Sequence, residues 1–168
     1  MTLYARILSS PFGPVLVAVD ETGALIRVEF LGERTAGALE QSLTADGDVL
    51  DRDAARCQAP ADQLAEYFGG DRREFDLPLA PRGTDFEKRV WEHLRKIPHG
   101  KTISYRELAA RVGNPSAYRA VGRANGRNPI AIVIPCHRVI GVDGSLTGYG
   151  GGISLKAALL KHEEARLL

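Results

Sequence analysis

The chain has little cysteine, and its two cysteines lie too far apart in sequence to suggest a shared site. Cys57 and Cys136 belong to no CxxC pair and no histidine cluster at ligand spacing, so neither a disulfide framework nor a zinc site is predicted. No stretch approaches the roughly 18 apolar residues of a membrane helix. We therefore expect a cytoplasmic protein that keeps its thiols reduced and uses no metal, cofactor or membrane contact.

Positive charge is concentrated in one part of the chain. Between Arg82 and Arg138 twelve Lys and Arg residues stand against four acidic residues, whereas the remainder carries ten against seventeen. Charge divided in this way suggests that one half of the protein binds a polyanion. A basic surface that is merely solvated would give the same count, so charge alone does not show that this segment binds a polyanion.

The first eighty residues alternate in the manner of a small antiparallel sheet. Apolar and polar residues alternate between turn signals such as Ser10-Pro11-Phe12-Gly13. The pattern predicts strands at 3–8, 15–19, 24–30 and 75–79, a helix within 32–58 and a second helix at 61–68. No catalytic constellation precedes residue 80, so residues 1–80 are expected to form a scaffold domain.

Helix signals dominate residues 84–168. Capping boxes begin at Thr84 and Ser104, and apolar residues follow each of them at helical spacing. The second of these helices and a third one at 117–125 flank a short turn that contains glycine, which makes a helix-turn-helix. The expected fold class is α+β, with a small antiparallel-sheet N-terminal domain and a mostly helical C-terminal domain.

The third helix is basic and carries no acidic residue. Tyr118, Arg119 and Arg123 lie on it, and in DNA-binding helix-turn-helix proteins this second helix of the motif enters a groove. Together with the basic segment, it favours DNA as the partner.

A single cysteine follows the most apolar run of the chain. Residues 130–134 read as a buried strand that Pro135 ends, so Cys136 is presented at its end. Flanking His137 and Arg138 would favour the thiolate, the nucleophilic form. If the chain stays extended, adjacent side chains point to opposite faces, and His137 could act on the thiol only through water. A buried cysteine with no chemical role would show the same local pattern.

Five sequence blocks, all in one order, carry a family resemblance: Arg119-Ala120-Val121-Gly122, Asn128-Pro129, Pro135-Cys136-His137-Arg138-Val139-Ile140-Gly141, Thr147-Gly148-Tyr149-Gly150-Gly151 and His162-Glu163. On these blocks the chain resembles the O6-alkylguanine-DNA alkyltransferases, also called methylated-DNA-protein-cysteine methyltransferases. The match extends from about Gly83 to Glu163. Residues 1–80 resemble the family only loosely, and the resemblance implies a ribonuclease-H-like scaffold there.

The resemblance implies DNA repair by direct, single-turnover transfer of the alkyl group from O6-alkylguanine to Cys136. By this resemblance, His137 matches the family's general base, which acts through a water. Glu163 matches the carboxylate that orients the histidine, and Asn128 matches the residue that braces the turn. Tyr105 matches the tyrosine that helps rotate the nucleotide and donates a proton to the departing guanine. Whether O4-alkylthymine is also a substrate stays open.

The same resemblance implies double-stranded DNA as partner, contacted through the minor groove. Arg119 matches an intercalating finger that fills the space of a flipped base. The remaining implied DNA contacts are Ser104, Tyr118, Ala120, Gly122 and Arg123. The implied pocket residues are Val139, Tyr149 and Gly150. The protein is expected to be a monomer, with cooperative assembly on DNA left open.

One position departs from the family, and two alternative functions stay open. The residue before the finger is usually small in the family, but here it is the bulky Tyr118. A helix-turn-helix regulator whose Cys136 senses oxidants or alkylating agents would share the basic segment and the thiol. A Cys-His-Glu hydrolase would need an oxyanion hole, for which the adjacent His137 is poorly placed.

Overall fold

The computed structural model describes residues 1–167, with side chains described up to residue 165. The chain divides into two compact units, Met1–Pro81 and a second that begins at Arg82. Each unit has its own sheet and its own helices, as an α+β chain requires. No helix within the described residues is both long and apolar enough to cross a bilayer.

The first unit is built on a four-stranded sheet of order β3-β2-β1-β4. Its strands are β1 (Thr2–Leu8), β2 (Val15–Val19), β3 (Leu25–Phe30) and β4 (Val49–Asp51). The first three pair antiparallel, as the alternation predicts, whereas β4 runs parallel to β1. The sheet is therefore mixed rather than purely antiparallel. A three-residue strand in an Asp- and Gly-rich segment leaves too short a pattern to be read from sequence.

Two helices pack in the first unit, α1 (Ala36–Thr44) and α2 (Gln58–Phe68). All five residues of β2 are buried, because β2 is an inner strand and both of its faces are covered. Cys57, just before α2, is also fully buried, and its thiol donates to the carbonyl of Tyr4 at 3.4 Å. Burial raises the pKa of the Cys57 thiol to about 11, so this cysteine is an inert part of the core.

The strand predicted at 75–79 does not form. The segment makes one isolated bridge, between Leu25 and Leu79, and Pro78 contributes only its carbonyl, which accepts from the Leu25 amide at 2.8 Å. Since proline has no N–H, the segment cannot extend a regular ladder.

Up to residue 167, the second unit has four α-helices and three short parallel strands. The helices are α3 (Asp85–Leu94), α4 (Tyr105–Val112), α5 (Tyr118–Gly126) and α6 (Ile153–His162). The strands, in sheet order β6-β5-β7, are β5 (Lys101–Ser104), β6 (Val139–Ile140) and β7 (Arg166–Leu167). The strands are only two to four residues long, too short to show a period in the sequence.

The helix-turn-helix predicted from sequence is confirmed as α4 and α5. Ser104 caps α4 by accepting from the Glu107 amide at 3.0 Å, and α4 ends at Gly113 with a φ of 95°, a conformation that suits glycine. The indole of Trp91, on α3, donates to the Ala124 carbonyl of α5 at 2.8 Å. This buried bond fixes α5 against the core of the unit.

Candidate active site

The run before the cysteine is a pair of tight turns and not a strand, so the strand predicted at 130–134 was wrong. The Ile134 amide donates to the Ile130 carbonyl at 3.0 Å, and Val133 donates to Ala131 at 2.8 Å. Ile132 has a φ of 70°, in the left-handed region that β-branched residues rarely occupy. The run is almost wholly buried, as predicted, but a short apolar run cannot distinguish a buried strand from buried turns.

Asn128 holds these turns closed through its side-chain amide. Its Nδ2 donates to the carbonyls of Ile134 at 2.7 Å and Ile130 at 3.3 Å, while its Oδ1 accepts from the Ile130 amide at 3.0 Å. One side chain thus replaces the ladder that a strand would have supplied, which offsets the strain at Ile132.

Cys136 begins a single 3-10 turn, Cys136–Arg138, directly after these turns. The backbone is therefore not extended through Cys136 and His137. The expectation that their side chains point to opposite faces applied only to an extended chain. The cysteine is 6% exposed. Its carbonyl accepts from Nδ2 of Asn125, in the last turn of α5, at 3.3 Å. The cysteine and the second helix of the helix-turn-helix are therefore in direct contact.

The pKa of the Cys136 thiol lies above its usual value, whereas its sequence neighbours were expected to favour the thiolate. Burial raises the pKa of Cys136, and a hydrogen bond from Asn128 and the charge of Lys156 oppose that shift without reversing it. Burial of the thiol outweighs every group that favours the thiolate, and the charge of Arg138 is already paired with Glu163.

The carboxylate of Glu163 binds both residues that follow the cysteine. His137 Nε2 lies 2.7 Å from Glu163 Oε2, and Arg138 makes bonds of 2.8 Å to Oε1 and 3.1 Å to Oε2. All three residues are buried. Burial raises the pKa of Glu163, but the hydrogen bonds and charges of His137 and Arg138 outweigh it and hold that pKa well below its usual range.

This arrangement leaves His137 neutral and ready to take a proton. Burial lowers the pKa of the imidazole, although the hydrogen bond and charge of Glu163 oppose the shift. Since a carboxylate can only accept, we assign the proton of neutral His137 to Nε2, which leaves the lone pair on Nδ1. Nδ1 is buried and has no hydrogen-bond partner within residues 1–167.

A buried lysine that we did not predict completes the site. Lys156 of α6 is fully buried, and its Nζ donates to the Thr147 carbonyl at 2.9 Å and to the Tyr105 hydroxyl at 3.4 Å. Tyr105 itself donates to the same carbonyl at 2.8 Å. Burial lowers the pKa of Lys156 to about 8, and the Cys136 thiolate would raise it. The only sequence feature that could have indicated this buried lysine is its place among the leucines of α6. A surface lysine in an amphipathic helix gives the same sequence pattern.

The structure brings the predicted catalytic residues together, and it places the predicted DNA contacts on α5 except for Ser104, which ends β5 and caps α4. Tyr118, Arg119 and Arg123 are exposed, and Ala120 and Gly122 are half-buried on the same helix. A Cβ on Gly122 would lie 3.8 Å from the ring of Tyr105.

The predicted pocket residues differ in burial. Val139 is fully buried in β6, and Gly150 is exposed. The hydroxyl of Tyr149 is buried and has no hydrogen-bond partner among the described residues. Burial raises its pKa well above the usual value, and the Cys136 and Glu163 charges add to the shift.

Comparison with known proteins identifies the family. The model of the 6-O-methylguanine DNA methyltransferase DNA-binding domain matches residues 85–165, and that of the ribonuclease-like domain of the same family matches residues 3–81. The chain belongs to this methyltransferase family. It is 50% identical to the methylated-DNA–protein-cysteine methyltransferase of Methanosarcina barkeri, over 98% of this chain and 99% of that one.

Solved structures of the family agree with the fold. The chain is similar to the crystal structure of the O6-methylguanine methyltransferase of Mycobacterium tuberculosis, with a TM-score of 0.83 and 45% identity over 96% of this chain and 93% of that one. The M. tuberculosis protein has also been solved in complex with DNA, and that structure matches with a TM-score of 0.82 and 44% identity over 98% and 93% of the two chains.

Proposed function

We propose that this protein repairs DNA by moving the alkyl group of O6-alkylguanine onto its own Cys136, once per molecule. The observation that carries the proposal is a hydrogen bond of 3.3 Å from the side-chain amide of Asn125, in α5, to the backbone carbonyl of Cys136. Through this contact the helix that would read DNA and the candidate nucleophile form one site. Family membership supports the same reaction.

The proposed transfer is an in-line displacement. The sulfur of Cys136 attacks the alkyl carbon, a thioether bond forms, and the bond from that carbon to O6 of guanine breaks. The thiol proton passes to Nδ1 of His137 through one water, and the Glu163 carboxylate stabilises the imidazolium that forms. Because a thioether is not hydrolysed, the protein is consumed by one reaction.

The departing guanine gains negative charge, and Tyr105 and Lys156 are placed to balance it. The Tyr105 hydroxyl would give its proton to the base, and Lys156, 3.4 Å from that hydroxyl, would stabilise the phenolate. Burial of Lys156 strengthens this interaction, since a charge acts more strongly where water is excluded. We assign Tyr105 as proton donor and Lys156 as its electrostatic support.

Access to the lesion requires the nucleotide to leave the stack, because the alkyl carbon is unreachable inside a duplex. We propose that α5 enters the minor groove, that Arg119 fills the vacated space, and that the small residues Ala120 and Gly122 permit the close approach. Ser104 and Arg123 would contact the backbone, and Val139, Tyr149 and Gly150 would line the pocket for the flipped base.

We further propose that residues 1–80 serve as a scaffold, that residues 84–168 bind DNA and accept the alkyl group, and that the protein acts as a cytoplasmic monomer without cofactor. The sensor alternative would bind DNA without accepting an alkyl group from it. The hydrolase alternative would turn over many times.

The reaction is tested with a duplex that carries one O6-methylguanine with a radiolabelled methyl group. Wild type should retain label in a ratio of one per molecule, and Cys136→Ser should retain none while still binding DNA. Cys57→Ser is the matched control, because it removes the other thiol, and it should retain one label per molecule. Retention by Cys136→Ser, or turnover beyond one, would contradict the proposal.

A further inference from the structure

The ring of Tyr118 lies beside two guanidinium groups on the exposed side of the helix-turn-helix. The guanidinium carbon of Arg106 is 5.8 Å from the ring centroid, and that of Arg119 is 5.9 Å from it. Tyr118 is 39% exposed and is the first residue of α5. Arg106 belongs to α4, so one aromatic ring connects cations from both helices of the motif.

Neither arginine has an acidic partner in the part of the chain that the structure describes. The nearest carboxylate in sequence, that of Glu107, pairs with Arg111 at 3.0 Å instead. In the free protein both guanidinium groups therefore make cation–π contacts with Tyr118 and no ion pair among the described residues. Both charges stay unneutralised, which leaves them available to a polyanion.

We propose that Tyr118 is a positioning residue that holds the Arg119 guanidinium beside its ring before Arg119 enters DNA. This inference rests on the proposed function, in which Arg119 fills the space of a flipped nucleotide. It gives a role to the one bulky residue that departs from the family pattern.

The physical reason is conformational entropy. A free arginine side chain samples many rotamers, and ordering it at an interface opposes binding. A tyrosine ring has only two side-chain dihedrals and a broad face, so it limits that freedom before binding. Because an exposed cation–π contact is weak, the duplex can displace the guanidinium from the ring without a large barrier.

The aromatic face should matter, and the hydroxyl and the bulk should not. We would measure single-turnover methyl transfer from an O6-methylguanine duplex and from the free O6-methylguanine base. Tyr118→Leu should lower the ratio of duplex rate to free-base rate about two- to fivefold. Tyr118→Phe should retain the wild-type ratio. Tyr4→Leu is the matched control, since Tyr4 in β1 also lies under a guanidinium, that of Arg56 at 4.6 Å, and its ratio should equal that of wild type.

Two outcomes would overturn the proposal: an unchanged ratio in Tyr118→Leu, or equal losses on both substrates, which indicate general damage to the site. A second readout needs no substrate. Ring-current shifts of the Arg119 side-chain protons should be upfield in wild type and Tyr118→Phe and absent in Tyr118→Leu. Absence of the shift in wild type would refute the stacking itself. If the shift is present but wild type accepts no methyl group, the proposed function has failed and not the stacking.

Discussion

Replacing Glu163 by glutamine should both destabilise the second unit and slow transfer, because one carboxylate serves two buried groups. Arg138 makes two of its three hydrogen bonds to Glu163, at 2.8 and 3.1 Å, and the third to the Ile97 carbonyl at 2.7 Å. The glutamine amide keeps the size of the side chain but removes the charge. The guanidinium is then buried without a counter-charge.

Loss of one partner of a buried ion pair costs about 3–5 kcal/mol. The Arg138 side chain is 6% exposed and that of Glu163 is 0% exposed, so the full range applies. Stabilisation of the His137 imidazolium is lost as well. A hydrogen bond to a charged group contributes about 1.5–3 kcal/mol, which corresponds to a roughly ten- to hundredfold slower transfer.

Urea unfolding at pH 7 measures the first effect and single-turnover transfer the second. Glu107→Gln is the matched control: it removes the same charge from an Arg–Glu pair of 3.0 Å, but the Glu107 side chain is 51% exposed. Its cost should be about 0–1 kcal/mol, with no effect on transfer. If Glu163→Gln loses no more stability than Glu107→Gln, the reasoning from burial is refuted.

Three further predictions follow from single contacts. Trp91→Phe removes the shorter of the two hydrogen bonds that the buried Ala124 carbonyl accepts and leaves the one from the Arg127 amide at 3.2 Å, so it should cost about 0.5–1.5 kcal/mol in urea unfolding; an unchanged midpoint would show that the indole bond does not fix α5. Cys57, fully buried and with its pKa raised to about 11, should react with a thiol reagent only as the protein unfolds, and labelling of the native protein in Cys136→Ser would contradict this. Lys156 has a pKa of about 8 when folded and about 10.4 when unfolded. The unfolded chain therefore binds more protons between these values, so stability should rise with pH there more steeply in wild type than in Lys156→Met; equal slopes would refute the lowered pKa.

Local signals in the sequence predicted much of the architecture. The antiparallel hairpins, the Thr84 capping box and the helix-turn-helix each depend on contacts a few residues apart, and each is confirmed. The short strands β4 to β7 depend on partners distant in sequence, so no local pattern marks them. The turns at 130–134 were misread because burial of an apolar run does not specify its backbone.

The residues of the candidate site were predicted from the order of the family motifs and not from physical reasoning. The predictions that failed concern side chains whose contacts are distant in sequence. Sequence neighbours suggested that Arg138 acts on the thiol, but its charge is neutralised by Glu163, a residue 25 positions away. Lys156 was missed because nothing in its helix indicates that its ammonium group would lie against Tyr105. Neither the burial of the thiol nor these distant groups can be read from the residues beside it in sequence.

The most direct test of the central claim is the intact mass of the protein after incubation with a duplex that contains one O6-methylguanine, followed by peptide mapping. The account predicts a gain of one CH2 per molecule, located on the peptide that contains Cys136, with no further reaction on a second addition of duplex. An unchanged mass with DNA binding intact, or a gain on the Cys57 peptide, would contradict it.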